Sequence, residues 1–496
     1  MPLSVIYSRA TVGVEAPAVQ VETHLSGGLP ALNIVGLPAT AVRESRDRVR
    51  SALLNAHFQF PDGRITVNLA PADLPKEGGR FDLPIALGIL AASGQLPSRH
   101  LARHECVGEL SLGGELRAVP GIIPVAQACT RAGRRLLAPA STATLASVVP
   151  GSQVIAACDL LTACAHLNGR EPLAPVASTP LTDTGESGPD LADVVGQVQA
   201  RRALEVAASG GHHLLFSGPP GTGKTLLASR LPGILPPASA EDLLTNAALH
   251  SLSDSTSLAP LRRRPFRHPH HGASAAALVG GGGRPMPGEV SLAHGGVLFL
   301  DELPEFHRSV LDMLREPLES GQVTISRARQ RITYPARFQL VAAMNPCPCG
   351  YDGDPERDCH CTPEQILRYR QRLSGPLLDR MDLRVTVGRL APGALLEVSA
   401  RGESSAQVRA RVIRCRNAQL RRQGCENAAL VGDALLQVCA LGSAERSHLA
   451  KAAERLQLSG RGVHRCLRVA RTLADMAGAN CVGRAHLNEA LAYRRN

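Results

Sequence analysis

The sequence predicts an α/β protein in which an α+β domain, a parallel-sheet core and a helical domain follow one another along the chain. Residues 1–170 mix β-branched runs with helical stretches, and a polar tract over 171–189 is typical of a linker. Residues 190–388 alternate short apolar strands with helical patterns, as parallel sheets require. Residues 389–496 place apolar side chains at the three-to-four spacing of helices.

The composition favours a polyanionic partner. The net charge of the 496 residues is +11, and residues 401–496 hold seventeen Lys or Arg against seven Asp or Glu, which is nearly the whole excess. Aromatic residues make up 3% of the chain, with no Trp, which disfavours binding by stacked aromatic platforms. No stretch approaches the ~20 apolar residues of a membrane span, and the N-terminus lacks a secretory signal. We therefore expect a cytoplasmic protein without membrane segments.

A glycine-rich loop lies between the apolar run Leu214–Phe216 and a helix-like segment. This is the setting of a P-loop, in which backbone N–H groups converge on phosphates, Lys224 reaches the β/γ oxygens and the Thr225 hydroxyl ligates Mg²⁺. The alternative is a glycine-rich loop without function. The predicted nucleotide-binding residues are Gly218, Pro219, Pro220, Gly221, Thr222, Gly223, Lys224 and Thr225. The sequence thus predicts ATP and Mg²⁺ as ligands.

Two further apolar strands end in residues that suit phosphate chemistry. The first, Val297–Leu300, runs into Asp301 and Glu302. An acid at this point can hold Mg²⁺ through water, and the next acid can polarise the water that attacks the γ-phosphate. The second strand is followed by Asn345, which can orient that water or contact the γ-phosphate. Together with the P-loop, these residues predict an ATPase.

The P-loop, the Asp-Glu pair, the Asn-ended strand and the trailing helices resemble an AAA+ ATPase. The resemblance implies a ring in which a neighbouring subunit completes each active site. The segment SGPLLDRMDL is similar to the one that offers an arginine finger across the subunit boundary, which here is Arg380. The alternative is that Arg380 pairs on the surface with Asp379 or Asp382.

The resemblance also implies a second sensor arginine in the C-terminal helical domain. Arg461, at the start of a helix, matches that position. Arg465 and Arg468 lie on the same helix and are the alternatives.

Longer segments narrow the family. Phe266–Phe306 and Val341–Gly350 resemble the magnesium-chelatase-like branch of AAA+ proteins, and Asn33–Leu53 and Asn68–Leu90 are similar to the N-terminal domain of the ComM/YifB subfamily. The resemblance covers essentially the whole chain. It implies a homo-hexameric ATPase that drives branch migration of recombination intermediates in natural transformation or DNA recombination.

Two basic segments are candidates for contact with DNA. A Pro- and Gly-broken insertion precedes the Asp-Glu pair, and a predicted hairpin over Val323–Phe338 follows it. Both offer guanidinium groups without aromatic readers, which favours the phosphate backbone over base sequence in single-stranded, duplex or branched DNA. For the insertion, the alternatives are a solvated loop or a contact between subunits. The candidate residues are Arg262, Arg263, Arg264 and Arg267 in the insertion and Arg327, Arg329 and Arg331 in the hairpin.

Four cysteines form two closely spaced pairs, Cys347 with Cys349 and Cys359 with Cys361. Two thiolate pairs joined by a flexible turn can close a tetrahedral Zn²⁺ site, although C-x-C is a less usual spacing than C-x-x-C. The alternative is four reduced thiols in a loop. A structural zinc ion is the metal that this pattern would hold, since four thiolates leave no open coordination position.

The first domain resembles the proteolytic domain of Lon, which uses a Ser–Lys dyad. Pro75–Asp82 has no serine at the matching position, and Gly121–Pro124 supplies no lysine. We therefore expect no peptidase activity and a binding or ring-stabilising role instead.

Two other functions remain as alternatives to a DNA motor. One is a magnesium-chelatase motor subunit that inserts Mg²⁺ into a porphyrin, although such subunits lack the Lon-like domain. The other is an AAA+ protein remodeller. Threading loops of remodellers usually present an aromatic-hydrophobic pair, whereas Phe266 stands among arginines.

Overall fold

The computed structural model describes residues 3–37, 39–183, 188–253, 257–282, 285–327, 330–390 and 402–494. The chain divides into two compact units. The first unit contains Met1–Thr182 and Ala240–Arg262, and the second contains Asp183–Ser239 and Arg263–Asn496. Short 3-10 turns in the two units cover Gly79–Phe81, Ser98–Arg103, Leu191–Asp193, Ala259–Arg262, Leu303–Glu305 and Asn427–Ala429.

Up to residue 182 the chain alternates strands with helices. In chain order these elements are β1 (Leu3–Arg9), β2 (Ala18–Ser26), β3 (Ala31–Val35), α1 (Thr40–Arg43), α2 (Ser45–Asn55), β4 (Arg64–Ala70), α3 (Asp82–Ala92), β5 (His104–Cys106), β6 (Glu109–Leu110), β7 (Leu116–Arg117), α4 (Ile122–Arg131), β8 (Arg135–Pro139), α5 (Ala140–Ala146), β9 (Val154–Ala157) and α6 (Leu160–Asn168).

A mixed sheet with the strand order β3-β4-β2-β1-β5-β8-β9 forms the centre of the first unit. Strands β1, β2 and β4 pair antiparallel, whereas β5, β8 and β9 are parallel to their neighbours. Helix α3 is apolar on every side and is buried along its whole length against β1 and β2. The predicted α+β architecture is confirmed.

The rest of the chain contains the elements of the second unit and one helix that belongs to the first. In chain order they are α7 (Val198–Gly210), β10 (Leu214–Ser217), α8 (Lys224–Ile234), α9 (Ala240–Ser251), β11 (Phe266–Arg267), α10 (Ala275–Val279), β12 (Gly280–Gly281), β13 (Met286–Pro287), α11 (Glu289–Leu292), β14 (Val297–Leu300), α12 (Arg308–Met313), α13 (Arg315–Ser320), β15 (Gln322–Arg327), β16 (Gln330–Pro335), β17 (Gln339–Met344), α14 (Pro363–Arg370), α15 (Gly375–Leu378), β18 (Leu383–Thr386), α16 (Ser405–Gln423), α17 (Gly432–Cys439), α18 (Ser443–Arg455), α19 (Gly460–Met476) and α20 (Arg484–Ala492).

A parallel sheet with the strand order β11-β14-β17-β10-β18 forms the centre of the second unit. Its central strands are short, continuous apolar runs, because helices or loops cover both faces of a parallel sheet. Strand β14 (sequence VLFL) is buried at all four positions. The predicted parallel-sheet core is confirmed.

The C-terminal helices pack within the same compact unit as the sheet. Helix α16 lies against α7 and α8, and its first residue is tied to the start of the unit, because the Leu191 N–H donates to Ser405 Oγ at 2.7 Å. Side chains from α17, α19 and α20 join the hydrophobic core that includes Leu214 and Val341.

Helix α9 leaves the second unit and packs on α4 in the first. The Gly121 N–H donates to the Ser251 carbonyl at 2.5 Å, which fixes the end of α9 beside the start of α4. The sequence pattern predicts one core over residues 190–388 and does not indicate that residues 240–262 belong to the first unit.

Within the part of the chain that the structure describes, no helix combines the length and apolarity needed to cross a membrane.

Candidate functional site

The predicted P-loop connects β10 to α8, and its glycines are required by its geometry. Gly221 and Gly223 have φ values of +79° and +87°, a region that glycine adopts without strain. A Cβ on Gly218 would lie 2.1 Å from the carbonyl oxygen of Val387, so β18 approaches too closely for any side chain there. The loop therefore presents backbone N–H groups ahead of the helix α8 N-terminus, an arrangement that suits an anion.

Lys224 begins α8 and is buried. Its ammonium group donates to the Gly218 and Pro219 carbonyls at 2.6 and 2.8 Å and to Asn345 Oδ1 at 3.1 Å. Burial lowers the pKa of Lys224, and the charges of Asp301 and Glu302 oppose that shift. The lysine thus links the loop directly to the residue that follows β17.

Sheet order explains why residues distant in sequence meet at this edge. Strand β17 lies between β10 and β14, so its carboxyl end sits between the P-loop and the Asp-Glu pair. Thr225 Oγ1 donates to Asp301 Oδ2 at 2.6 Å. A hydroxyl and a carboxylate oxygen are donors that suit Mg²⁺, and here they are already adjacent.

Glu302 follows Asp301 with φ of +50°, an unusual backbone conformation for a residue with a side chain. Such conformations persist where surrounding contacts enforce them and are concentrated at functional sites. The Glu302 N–H donates to Asp301 Oδ1 at 2.9 Å, and the carboxylate contacts His271 Nδ1 at 3.1 Å. The contact with His271 was missed in the sequence, because no spacing rule connects the insertion to the Asp-Glu pair.

Arg380 follows α15, and its partner is neither of the acids considered from sequence. Its guanidinium donates to the Pro376 carbonyl at 2.7 Å and forms an ion pair with Glu319. Asp382 instead accepts from Arg465 at 2.9 Å. The Arg380 side chain is 9% exposed.

Among the three arginines considered for the second sensor, the first is the exposed one. Arg461 lies in the first turn of α19 and is exposed. Arg465, one turn later, donates to Asp382 and to the Arg380 carbonyl, and Arg468 donates to the Leu430 carbonyl at 2.6 Å. Arg461 is thus the arginine with its side chain turned to the surface.

The basic insertion is largely bound to the protein. Arg264 donates to the Pro236 and Gly295 carbonyls. Arg267 lies in β11, the edge strand of the parallel sheet, and forms a bidentate pair with Glu289 at 2.5 and 2.6 Å. Arg262 is half-buried at the end of a 3-10 turn, whereas Arg263 is exposed. The insertion is therefore fixed to the second unit at Arg264 and Arg267, and Arg263 between them is exposed.

The hairpin predicted after the Asp-Glu pair is present as β15 and β16, which pair antiparallel from Gln322↔Pro335 to Arg327↔Gln330. Val323, Ile325 and Ile332 are buried on one face, and Arg331 is exposed on the other. Arg329 and the side chain of Arg327 lie outside the described residues.

The four cysteines predicted to hold a metal come together after β17. The Sγ atom of Cys347 lies 3.3 Å from that of Cys349 and 3.6 Å from that of Cys359, and all four Sγ atoms lie within 4.8 Å of one another. Zn–S bonds of ~2.3 Å in a tetrahedron place sulfurs ~3.8 Å apart, so the donor set and its spacing fit Zn²⁺. The residues that form this cluster are Cys347, Cys349, Cys359 and Cys361.

Backbone amides support the cluster as they do in thiolate metal sites. The Gly350 and Asp352 N–H groups donate to Cys347 Sγ at 3.2 and 3.3 Å. Gly350 also brings the cluster to the P-loop, since a Cβ there would lie 2.7 Å from Pro220 Cδ. The cysteine cluster and the predicted phosphate loop are therefore in contact.

Five arginines of the C-terminal helices form ion pairs within the second unit. Its ion pairs join Arg411 to Glu205 and Glu403, Arg416 to Glu426, Arg422 and Arg471 to Asp475, and Arg465 to Asp382. Glu403, Glu426 and Asp475 already count toward the net charge of residues 401–496, so only the pairs with Glu205 and Asp382 lower the excess counted from sequence.

Comparisons with known proteins place the whole chain among close relatives. Residues 190–395 match the family described as magnesium chelatase, subunit ChlI, residues 402–494 match its C-terminal region, and residues 21–142 match subunit ChlI of Mg-chelatase. The protein YifB of Salmonella typhimurium is 52% identical over 497 residues, which cover 100% of this chain and 97% of that protein. Competence protein ComM of Haemophilus influenzae is 52% identical over 500 residues, covering 100% of this chain and 98% of ComM. Lon protease 2 of Bacillus subtilis is 33% identical over 157 residues, covering 27% and 26% of the two chains.

Proposed function

The chain belongs to the ComM/YifB family of magnesium-chelatase-like AAA+ ATPases, and we propose that it is an ATP-driven motor that promotes branch migration of DNA recombination intermediates. The observation that carries the proposal is the convergence of Lys224, Thr225, Asp301 and Asn345 at one edge of the parallel sheet. We propose a cytoplasmic location, because the proposed activity consumes ATP.

In the proposed hydrolysis, each residue at this edge has a separate task. Lys224 neutralises the β- and γ-phosphates. Thr225 and Asp301 would hold Mg²⁺, which would screen the phosphate charge. Glu302 orients and deprotonates the attacking water, and Asn345 positions that water against the γ-phosphate. Lys224 donates to Asn345 Oδ1 at 3.1 Å, so the residue proposed to sense the phosphate contacts the residue proposed to bind it.

The proposed assembly is a homo-hexamer in which Arg380 acts on nucleotide held by a neighbour and Arg461 is the second sensor arginine. Arg380 would stabilise the charge that develops on the γ-phosphate, a contribution on the order of 10³–10⁵ in rate for arginine fingers. Arg461 is kept as the candidate because it is exposed, whereas Arg465 and Arg468 are hydrogen-bonded within the second unit.

DNA is the proposed substrate, and exposed arginines are its proposed contacts. Arg263 and Arg331 are exposed, and Arg327 pairs with Gln330 in the same hairpin as Arg331. Arg329 is proposed from the sequence alone. Arg264 and Arg267 already have protein partners, so we assign them a structural part in presenting Arg263. Support for DNA as the substrate also comes from the name of the Haemophilus relative, a competence protein.

We further propose that the four-cysteine cluster holds a structural zinc ion. The metal would cross-link the segment from Cys347 to Cys361, which packs against the P-loop through Gly350. The first unit is proposed to stabilise the ring or bind a partner.

The test is the ATPase rate of the purified full-length protein with single-stranded DNA, duplex DNA and a four-way junction, beside an unfolded protein and a porphyrin with chelatase partner subunits. If the protein is a DNA motor, DNA raises its ATPase rate, and this stimulation falls steeply as the salt concentration rises. Migration of the four-way junction then requires ATP. Stimulation by unfolded protein or porphyrin with no response to DNA would replace this proposal with one of the two alternatives.

The role of Arg380 across the subunit boundary is tested by mixing. Arg380→Ala and Glu302→Gln proteins are each expected to be inactive, because one lacks the finger and the other lacks the base. Mixed rings recover part of the activity, since some interfaces then combine an intact finger with an intact site. If light scattering shows that mixed rings form and these rings recover no ATPase activity, a role of Arg380 in trans is contradicted.

A further inference from the structure

The Arg380 guanidinium is turned into its own protomer. One terminal nitrogen donates to the Pro376 carbonyl at 2.7 Å and the other pairs with Glu319. The Nε atom is buried without a hydrogen-bond partner among the described residues, and the whole side chain is 9% exposed. A guanidinium placed in this way cannot reach a phosphate held by another subunit without leaving Glu319.

The backbone around Arg380, in contrast, is fixed. Arg465 of α19 donates to the Arg380 carbonyl at 2.7 Å and to Asp382 Oδ1 at 2.9 Å. The other oxygen of Asp382 accepts the His213 N–H at 3.0 Å, which ties this segment to the start of β10. Because these contacts hold the main chain, a change in the position of the guanidinium requires a change of side-chain rotamer and the loss of the Glu319 pair.

Glu319 occupies the junction between α13 and the hairpin formed by β15 and β16. It lies three residues before Gln322, where β15 begins. Ser320 joins the two elements rigidly, because its hydroxyl donates to the Glu316 carbonyl at 2.9 Å and accepts the Gln322 N–H at 3.2 Å. A displacement of the hairpin is therefore transmitted to the carboxylate that holds Arg380.

The Arg380–Glu319 ion pair is one that a phosphate group can replace. The Glu319 side chain is 61% exposed, so water competes for its carboxylate and the pair is weak. A phosphate group carries more charge than one carboxylate and accepts a bidentate guanidinium contact, so Arg380 gains by moving to it.

We propose that Glu319 is a positioning residue that withholds Arg380 from the neighbouring subunit, and that DNA pressing on the hairpin breaks the Glu319–Arg380 pair and releases the finger. DNA binding and ATP hydrolysis are coupled through this contact. The inference rests on the proposed function, since it requires Arg380 to act in trans and the hairpin to contact DNA.

The experiment compares wild type, Glu319→Gln and the control Glu316→Gln, which removes a second exposed carboxylate from the same helix. For each protein, kcat and KM for ATP are measured with and without a four-way junction, and oligomer size is measured on the same samples. In Glu319→Gln we expect the DNA-independent kcat to rise about two- to five-fold, the population shift that loss of a part-exposed ion pair produces. The junction-stimulated kcat stays at the wild-type value, so the stimulation ratio falls.

Two further variants separate positioning from a general effect on the fold. Glu319→Asp keeps the charge and is expected to restore a low DNA-independent rate. Arg331→Ala is expected to lower the stimulation ratio in the wild-type background and to leave the already reduced ratio of Glu319→Gln unchanged, because the step it controls has been bypassed.

An unchanged or lower DNA-independent kcat for Glu319→Gln, in rings of wild-type size, overturns the inference. So does an equal rise for Glu316→Gln. Failure of the proposed function has a different signature, namely an ATPase rate of the wild-type protein that does not respond to DNA. Full DNA-stimulated activity in Arg380→Ala refutes only the role of Arg380 in trans. If Arg380→Ala is inactive and Glu319→Gln resembles wild type, the trans role stands and this coupling alone is wrong.

Discussion

The substitution Arg267→Ala tests whether Arg267 of the basic insertion stabilises the fold or contacts DNA. Arg267 Nε and Nη2 donate to the two oxygens of Glu289 at 2.5 and 2.6 Å, and the side chains are 34% and 24% exposed. Because these hydrogen bonds hold β11 at the sheet edge against α11, we expect the loss to appear in the stability of the second unit.

The magnitude follows from the geometry of the pair. Two hydrogen bonds between charged groups stabilise by ~1.5–3 kcal/mol each when fully desolvated, and exposure of about a third roughly halves that sum, which leaves about 2 kcal/mol. In a domain of this size each kcal/mol shifts Tm by ~2 °C, so Arg267→Ala lowers Tm by about 4 °C. Glu289→Ala lowers it by a similar amount, and the double variant loses little more than either single one.

The assay is thermal unfolding of the three variants and wild type, combined with DNA affinity measured at one fixed salt concentration. Arg263→Ala is the matched comparison, because Arg263 lies in the same segment and is exposed. It is expected to weaken DNA binding without lowering Tm. If Arg267→Ala leaves Tm unchanged and weakens DNA binding tenfold, Arg267 is a DNA contact and the structural assignment is wrong.

Three further predictions concern nucleotide, metal and pH. Lys224→Ala abolishes ATP binding because its charge has no replacement at the loop, whereas Glu302→Gln binds ATP and stops turnover; equal ATP affinity of wild type and Lys224→Ala in a direct binding assay contradicts the P-loop assignment. The purified protein is expected to carry one zinc ion per chain by elemental analysis, and Cys359→Ser is expected to lose it. Wild-type protein that is purified without zinc and has reactive thiols at all four cluster cysteines contradicts the zinc site. Burial lowers the pKa of His213 to about 4 from its ordinary ~6.5, so its contribution to stability is complete above pH 6.5 and is lost as the pH falls from 6.5 to 4. The neutral ring accepts the Leu340 N–H at 3.0 Å, and His213→Asn, which does not titrate, should flatten this part of the pH–stability curve; identical curves for both proteins contradict the assignment.

Short-range patterns explain why much of the fold could be predicted. The three apolar strands of the core occur as β10, β14 and β17, because a parallel strand buried on both faces has to be a continuous apolar run bounded by polar residues. The hairpin β15–β16 follows in the same way from alternation of buried and exposed side chains.

Contacts between distant segments could not be predicted in this way. The alternative considered for Arg380 was a pair with Asp379 or Asp382, yet its partner Glu319 lies 61 positions away. The contact between His271 and Glu302 likewise depends on how β11 pairs with β14, which no spacing rule specifies. The roles assigned to Asn345, Arg380 and Arg461 stay predictions.

The excursion of α9 has a consequence for how the protein is made. The first unit needs residues 240–262, which a ribosome produces only after 57 residues that belong to the second unit. At ~5–20 residues per second, the 80 positions from 182 to 262 take ~4–16 s. During that interval α9 is not available to cover the face of α4 that it packs against in the finished protein. A nascent chain stalled between these points would offer that face to chaperones, and an expressed fragment ending at residue 182 would carry the same exposed surface permanently.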